Sequence, residues 1–242
     1  MKVKDKLIEF RFTKPFYFIL DGVIAIPEIN ENIHLKFIEN LYLKFNLGSK
    51  KVEETHDQIS FQYIFNIYEI IYIGEKYEHY DILFKVKGLV DDKNEPFKIT
   101  YENISNIYKR FYLNKENLIL LKYIIYKYFK EKNYIVKDGL KFGVDFILYH
   151  KSPSLVHGKH CILICKFTYG EEDDESDQLK YDGYEEVIYN NKTYIVKFPI
   201  INYKKIINLS RLCESVSKKL ILIEYNSKND EVQSLEISRF SS

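Results

Sequence analysis

The segment Gly139–His157, GLKFGVDFILYHKSPSLVH, constrains this chain more than any other stretch. Two glycines punctuate a turn at Lys141-Phe142-Gly143, and the apolar run Phe146-Ile147-Leu148 beyond it ends on Tyr149. After a Ser-Pro-Ser turn comes His157, and then a second apolar run, Cys161-Ile162-Leu163-Ile164-Cys165. Short apolar runs bounded by Gly, Pro and Ser read as two strands joined by a loop. Tyr149 and His157 then stand at the two ends of that loop, close in space and free to face solvent.

Around this segment the pattern alternates between strand and helix periods. The runs Leu7–Phe12 and Tyr17–Ile26 read as strands, the second bent at Gly22, and Ile33–Phe45 repeats apolar residues at helical steps before stopping near Gly48. Ile59–Ile73 has a similar period and is expected to be a helix, Tyr80–Val86 a strand and Ile104–Tyr112 a short helix, with a polar turn at Asp91–Pro96. Leu118, Leu121, Ile125 and Tyr128 form one apolar stripe that Asn133 ends. Further strands are expected at Tyr134–Val136, Val144–Tyr149, His160–Phe167 and Lys192–Phe198. Ile206–Ser217 is a helix with Ile206, Leu209, Cys213 and Val216 on one face, and Leu220–Tyr225 and Val232–Phe240 close as strands. The fold class is α/β of the α+β type. A small N-terminal α/β domain (1–114) precedes a C-terminal mixed-sheet domain flanked by helices (115–242), which carries the chemistry.

Composition limits the function. Thirty-six basic and 35 acidic residues nearly cancel, whereas a free-standing nucleic-acid binder is usually clearly basic. Any RNA affinity is therefore expected to be local or shared with partners. Three cysteines without a CxxC pair point to a reducing compartment. The charged start MKVKDKLIEFRF does not resemble a signal peptide, and no run approaches the ~18 apolar residues of a membrane span, so a soluble intracellular protein is expected. The 22 tyrosines are not read as base-stacking platforms. Alanine is almost absent, as A/T-rich coding produces, and most of the tyrosines are ordinary core and surface residues.

Tyr149, His157 and Lys218, the last within Ser215–Tyr225 (SVSKKLILIEY), offer the chemistry of metal-free RNA cleavage. The ribose 2′-hydroxyl is the nucleophile. A base must take its proton, an acid must protonate the departing 5′-oxygen, and a cation must stabilise the phosphorane. An imidazole with an ordinary pKa near ~6.5 suits the acid and an ammonium suits the stabiliser, whereas a phenol at ~10 is a poor base unless a neighbouring ammonium lowers it. Taken singly, each residue has an ordinary reading: a strand-end rim residue, a loop histidine, a surface lysine. His157-x-x-His160-Cys161-x-x-x-Cys165 invites a zinc reading, but on a strand Cys161 and Cys165 share one face and His160 takes the other. The three cysteines are expected in the core, and no metal or cofactor is expected. The acidic run Glu171–Asp177 would repel RNA and reads as a solvated loop.

The combination resembles a family. YKYFKEKNYIVKDGLKFGVDFILYHKSPSLVH is similar to the catalytic domain of tRNA-splicing endonucleases, whose pattern is G-x-K-[FY]-G-x-D-[FL]-x-x-Y, a short loop and a catalytic His. The family's S-V-x-K-x-L appears as Ser215–Leu220. The resemblance is strong over Leu118–Tyr225 and implies base, acid and phosphorane stabiliser at Tyr149, His157 and Lys218. It implies cleavage of precursor tRNA to 2′,3′-cyclic phosphate and 5′-hydroxyl ends, in a heterotetramer with other endonuclease subunits. The spacing most resembles the eukaryotic subunit that cuts the 5′ splice site, which implies a nuclear location, with a cytoplasmic or organelle-surface site as the alternative. Arg211, seven residues before Lys218, and Phe240, where relatives tend to have Trp, correspond to a clamp on an intron base at the partner subunit's site. Rival readings are the 3′-splice-site subunit, an inactive structural subunit, and a metal-dependent DNA nuclease on a related fold. The last needs a D…[DE]-x-K arrangement, and Asp145 has no such partner downstream.

Overall fold

A computed structural model describes residues 10–55, 58–78, 80–87, 96–111, 116–166, 184–197, 199 and 201–238. The chain divides into two compact units, Met1–Ile107 and Tyr108–Ser242. No helix among the described residues is long and apolar enough to cross a membrane.

The first unit is built on a six-stranded sheet, in the order β3-β4-β2-β1-β5-β6. β1 (Phe16–Asp21) and β2 (Ile24–Glu28) form a hairpin around Gly22, which has positive φ, and β1 runs parallel to β5 (Ile82–Val86). β6 (Phe97–Lys98) completes that edge. Helices α1 (Asn32–Phe45) and α2 (Ile67–Lys76), with α3 (Tyr101–Phe111) as far as Ile107, complete the unit. Its core is aromatic: Phe16, Phe18, Phe37, Phe65 and Phe84 are all fully buried. Of the strand expected over Leu7–Phe12, residues 7–9 lie outside the described residues, and Phe10–Phe12 are not a strand. The Phe12 ring packs instead on Phe16, His34 and Phe37, so side-chain burial replaces a ladder.

The expected helix over Ile59–Ile73 is also corrected. Its first half is β4 (Gln58–Asn66), paired antiparallel with β3 (Ser49–Thr55), and only the second half is α2. Between Gln62 and Asn66 burial alternates residue by residue, with Tyr63 and Phe65 inward, the period of a strand and not of a helix. The change of state occurs at Asn66. Its side chain accepts from the Glu69 N–H at 2.8 Å, and the Glu69 carboxylate accepts from the Asn66 N–H at 3.0 Å. This reciprocal cap starts a helix wherever it closes. Glu69 is buried, and its other oxygen accepts from the Gly48 N–H at 2.9 Å.

The second unit is a mixed five-stranded sheet in the order β13-β12-β9-β8-β7, with a separate hairpin. β7 (Ile135–Asp138), β8 (Phe146–Tyr149) and β9 (His160–Ile164) are successively antiparallel. β12 (Lys219–Asn226) lies parallel to β9, and β13 (Glu231–Ile237) closes the edge. The parallel pair needs a long crossover; it contains the hairpin β10 (Tyr184–Tyr189)–β11 (Lys192–Lys197) and α5 (Tyr203–Ser215). α4 (Glu116–Glu131) covers one sheet face, where Tyr126 packs edge-on to Phe146. α5 covers the other, where Leu209 and Cys213 join Cys161, Leu163, Leu220 and Leu222 in one cluster. The acidic run Glu171–Asp177 lies outside the described residues.

Glu69→Ala leaves two backbone donors of the first unit without their acceptor. The expected loss is about 1–3 kcal/mol, read as a lower urea midpoint together with faster hydrogen exchange at the Gly48 and Asn66 amides.

Candidate active site

The glycine-punctuated turn is a single 3-10 turn, Leu140–Phe142. Its first amide, Leu140 N–H, donates to the Asp138 carboxylate at 2.8 Å, and Phe142 N–H donates to the Gly139 carbonyl at 2.9 Å. Gly143 ends it with φ +68°, a left-handed conformation that any side chain strains. The turn places Phe142 partly buried against the α5 cluster.

Asp145 anchors the chain as it leaves the turn. One carboxylate oxygen pairs with Lys122 Nζ of α4 at 2.7 Å, and the other accepts from the Ile164 N–H of β9 at 2.8 Å. Its own N–H donates to the Ile162 carbonyl at 2.8 Å. The side chain ties α4, the turn and β9 together, so both of its oxygens are already engaged in holding the fold.

From Asp145 the strand β8 carries alternating faces. Phe146 pairs with Ile162 and faces α4; Ile147 pairs with Cys161 and faces α5. Tyr149, two residues beyond Ile147, is on the α5 face at the strand end and is half-buried. The loop after it is closed by Leu155 N–H and Val156 N–H, both donating to the Ser152 carbonyl at 2.9 and 3.2 Å. His157 comes out of it exposed. The zinc spacing does not converge. Cys161 and Cys165 are buried, while His160, on the opposite face, packs its ring edge-on to His150 at 5.9 Å.

α5 delivers the third residue. Asn202 caps its start by accepting from the Lys205 N–H at 2.9 Å. At its end Ser217 adopts φ +56°, and the N–H groups of Ser217 and Lys218 donate back to Glu214 and Cys213, each at 2.9 Å. A left-handed residue after the last turn is how helices commonly stop, and here it throws Lys218 across to the β8–β9 loop. Lys218 Nζ donates to the Gly158 carbonyl at 2.9 Å and lies 5.4 Å from the centre of the Phe142 ring. Lys218 is thus held by the residue next to His157 in the chain, and Gly158 in turn borders the Tyr149 ring. Residues far apart in the chain, Tyr149 and Lys218 among them, meet around one glycine.

Sequence reasoning missed two members of this arrangement, Phe142 and Gly158. Phe142 was visible within its motif; nothing in the sequence marks a lone glycine after a histidine. The phenol of Tyr149 is not lowered by an ammonium: burial, and after it the Cys161 thiol, push it above its ordinary value. The Cys161 thiol is itself pushed well up by its hydrogen bond to Cys213 and by burial. Arg211 is exposed on α5, whose buried face carries Leu209, Ser210 and Cys213. Phe240 lies outside the described residues.

Asp145→Asn removes the ion pair but keeps an acceptor for Ile164. A loss of about 1–2 kcal/mol is expected, the partial exposure of Lys122 and Asp145 weakening the pair. The loss for Asp145→Asn with Lys122→Met should fall short of the sum of the two singles in chemical denaturation.

The profile of the tRNA intron endonuclease, catalytic C-terminal domain, matches residues 119–234. The tRNA-splicing endonuclease of Pyrobaculum arsenaticum is 32% identical over 146 residues, covering 60% of this chain and 72% of the relative. That of Pyrobaculum aerophilum is 31% identical over 145 residues, covering 60% and 71%. The mouse (Mus musculus) tRNA-splicing endonuclease subunit Sen2 is 31% identical over 100 residues, 41% of this chain and 17% of the relative. With the catalytic-domain motifs folded into one cluster in its second unit, the chain belongs to the tRNA-splicing endonuclease family.

Proposed function

We propose that this chain cleaves intron-containing precursor tRNA at an exon–intron junction, using Tyr149 as base, His157 as acid and Lys218 as phosphorane stabiliser. The observation that carries the reading is the Lys218–Gly158 hydrogen bond, which holds an ammonium beside the chain segment of His157 and against the residue that borders Tyr149. The 2′-hydroxyl loses its proton to the Tyr149 phenolate as its oxygen attacks phosphorus. The bond from phosphorus to the 5′-oxygen breaks, and His157 protonates that oxygen. The products are a 2′,3′-cyclic phosphate and a 5′-hydroxyl, and no step needs a metal. Lys218, already placed, meets the negative charge that develops on the phosphorane without reorganising.

We further propose that the chain works as one subunit of a heterotetramer in the nucleus and cuts the 5′ splice site. The near balance of 36 basic and 35 acidic residues fits an enzyme that shares its RNA-binding surface with partners. The local similarity to Sen2 subunits, 36% over 63 residues in Arabidopsis thaliana, supports the subunit assignment. Arg211, exposed on α5, and Phe240 would then clamp an intron base at the partner's site.

The test is cleavage of an intron-containing precursor tRNA by the assembled complex in EDTA, with the ends and the junction mapped. His157→Ala and Lys218→Ala should each slow the cut by about 10²–10⁴-fold; a full rate in either sinks the assignment of that residue.

The elevated Tyr149 phenol makes a second prediction. Burial keeps it protonated at neutral pH, so the phenolate fraction grows about tenfold with each pH unit. In His157→Ala, where the proposed acid is absent, the slower single-turnover rate should climb with pH through neutrality and beyond. A level profile in that variant would remove Tyr149 from the role of base.

A further inference from the structure

We propose that Gly158 is a positioning residue of the cleavage reaction, matched to Ile147: only a residue without a side chain lets the main chain pass close enough to hold Lys218. This rests on the reading of Tyr149, His157 and Lys218 as the catalytic set. Gly158 is buried, and a Cβ built on it would lie 2.4 Å from Ile147 Cγ2, 3.0 Å from Tyr149 Cζ and 3.2 Å from the Leu148 carbonyl oxygen. Its φ is not the reason, since it is not in the left-handed region that marks Gly48 and Gly143. The requirement is space.

The neighbours cannot yield easily. Ile147 Cγ2 branches at Cβ and so moves only with the backbone or through a strained rotamer, and Ile147 is buried in the sheet opposite Cys161. The next residue is fastened on both sides: Lys159 N–H donates to the Leu148 carbonyl at 3.3 Å, and its carbonyl accepts from the Lys219 N–H at 2.8 Å. A side chain at 158 therefore pushes on the phenol end of Tyr149 or lifts the 157–158 peptide outward. Lifting it shifts His157 and draws the carbonyl away from Lys218 Nζ. All three catalytic groups are coupled to one Cα–Cβ vector, although Gly158 itself touches no reacting atom.

Leucine at 147 keeps the volume but has no methyl branch at Cβ, so Ile147→Leu removes the atom that a new Cβ meets first. The experiment is single-turnover cleavage of an intron-containing precursor tRNA by the full chain in its complex, for wild type, Gly158→Ala, Ile147→Leu and the double variant. Thermal midpoints are measured in parallel. Gly158→Ala should lower kcat by roughly 10²-fold with KM unchanged, the penalty of a misplacement near 1 Å, and the double variant should recover most of that loss. If Gly158→Ala does not fold, the double variant is compared with Ile147→Leu alone and should match its rate. Wild-type kcat in Gly158→Ala overturns the proposal. So does a double variant that melts with Ile147→Leu yet stays as slow as Gly158→Ala, or slower than Ile147→Leu where Gly158→Ala does not fold. Full activity in His157→Ala and Lys218→Ala would instead remove the underlying catalytic reading, so the two failures are distinct.

Discussion

Parallel pairing of β9 with β12, with Lys219 opposite His160, is the constraint on which the site depends. The first catalytic-domain motif ends at the start of β9 and the last ends at the start of β12. Only a parallel register puts those two starts side by side. An antiparallel pair would have sent Lys218 to the far end of the sheet, about 17 Å away for a five-residue strand. The crossover that permits the parallel pair ends in α5, and the left-handed Ser217 converts the helix end into the strand start. Leu209 and Cys213 hold that helix against the sheet. The position of Lys218 is thus the sum of a strand pairing, a helix stop and an apolar contact, each of which is ordinary by itself.

Asp145 plays the same part on the other side. Sequence motifs that contain an aspartate beside a strand invite a catalytic or metal-binding reading. Here one oxygen is given to Lys122 and the other to the Ile164 N–H. A carboxylate so engaged orders three elements and leaves the chemistry to the residues it orients. The pattern that identifies the family therefore mixes two kinds of residue: glycines, Phe142 and Asp145 that build the turn, and Tyr149 that the turn presents.

The C-terminal half was more legible than the N-terminal half, for physical reasons. Cys161–Cys165 and Leu220–Tyr225 are apolar runs too short for helices and bounded by polar residues. The stripe through Leu121 and Ile125 has helical spacing and nothing to contradict it. Ile59–Ile73 reads as helical because Ile64, on the strand face opposite Phe61, Tyr63 and Phe65, interrupts the alternation and joins Ile67 and Ile71 at three- and four-residue steps. Asn66 and Glu69, spaced as a capping box, were the signal that separated strand from helix. β3 reads SKKVEET and has little apolar content, since it lies at the sheet edge. β10 was overlooked although Asn190-Asn191, both at positive φ, is the turn chemistry of a tight hairpin. Gly158 was illegible in principle. Its importance comes from Ile147, Tyr149 and Lys218 converging on it, which is a property of the fold and of no local pattern.

The resting arrangement also says how Lys218 would meet its substrate in the proposed reaction. An ammonium has three donors, and one is spent on the Gly158 carbonyl. The Phe142 face, 5.4 Å away, covers a second side without consuming a proton, so donors remain for a phosphate oxygen. Hydrogen bonds between ionised partners are roughly twice as strong as neutral ones, yet the phosphate does not have to displace the carbonyl to obtain them. The carbonyl acts as a fixed hinge that stops a flexible four-carbon chain from searching, and the charge meets the transition state already oriented. Tyr149 is in the opposite condition. Burial keeps its proton on, so the base is in short supply while the stabiliser is always ready. In the proposed reaction the rate would therefore follow how often the phenol is ionised when RNA is bound, and the placement of Lys218 would make each such occasion productive.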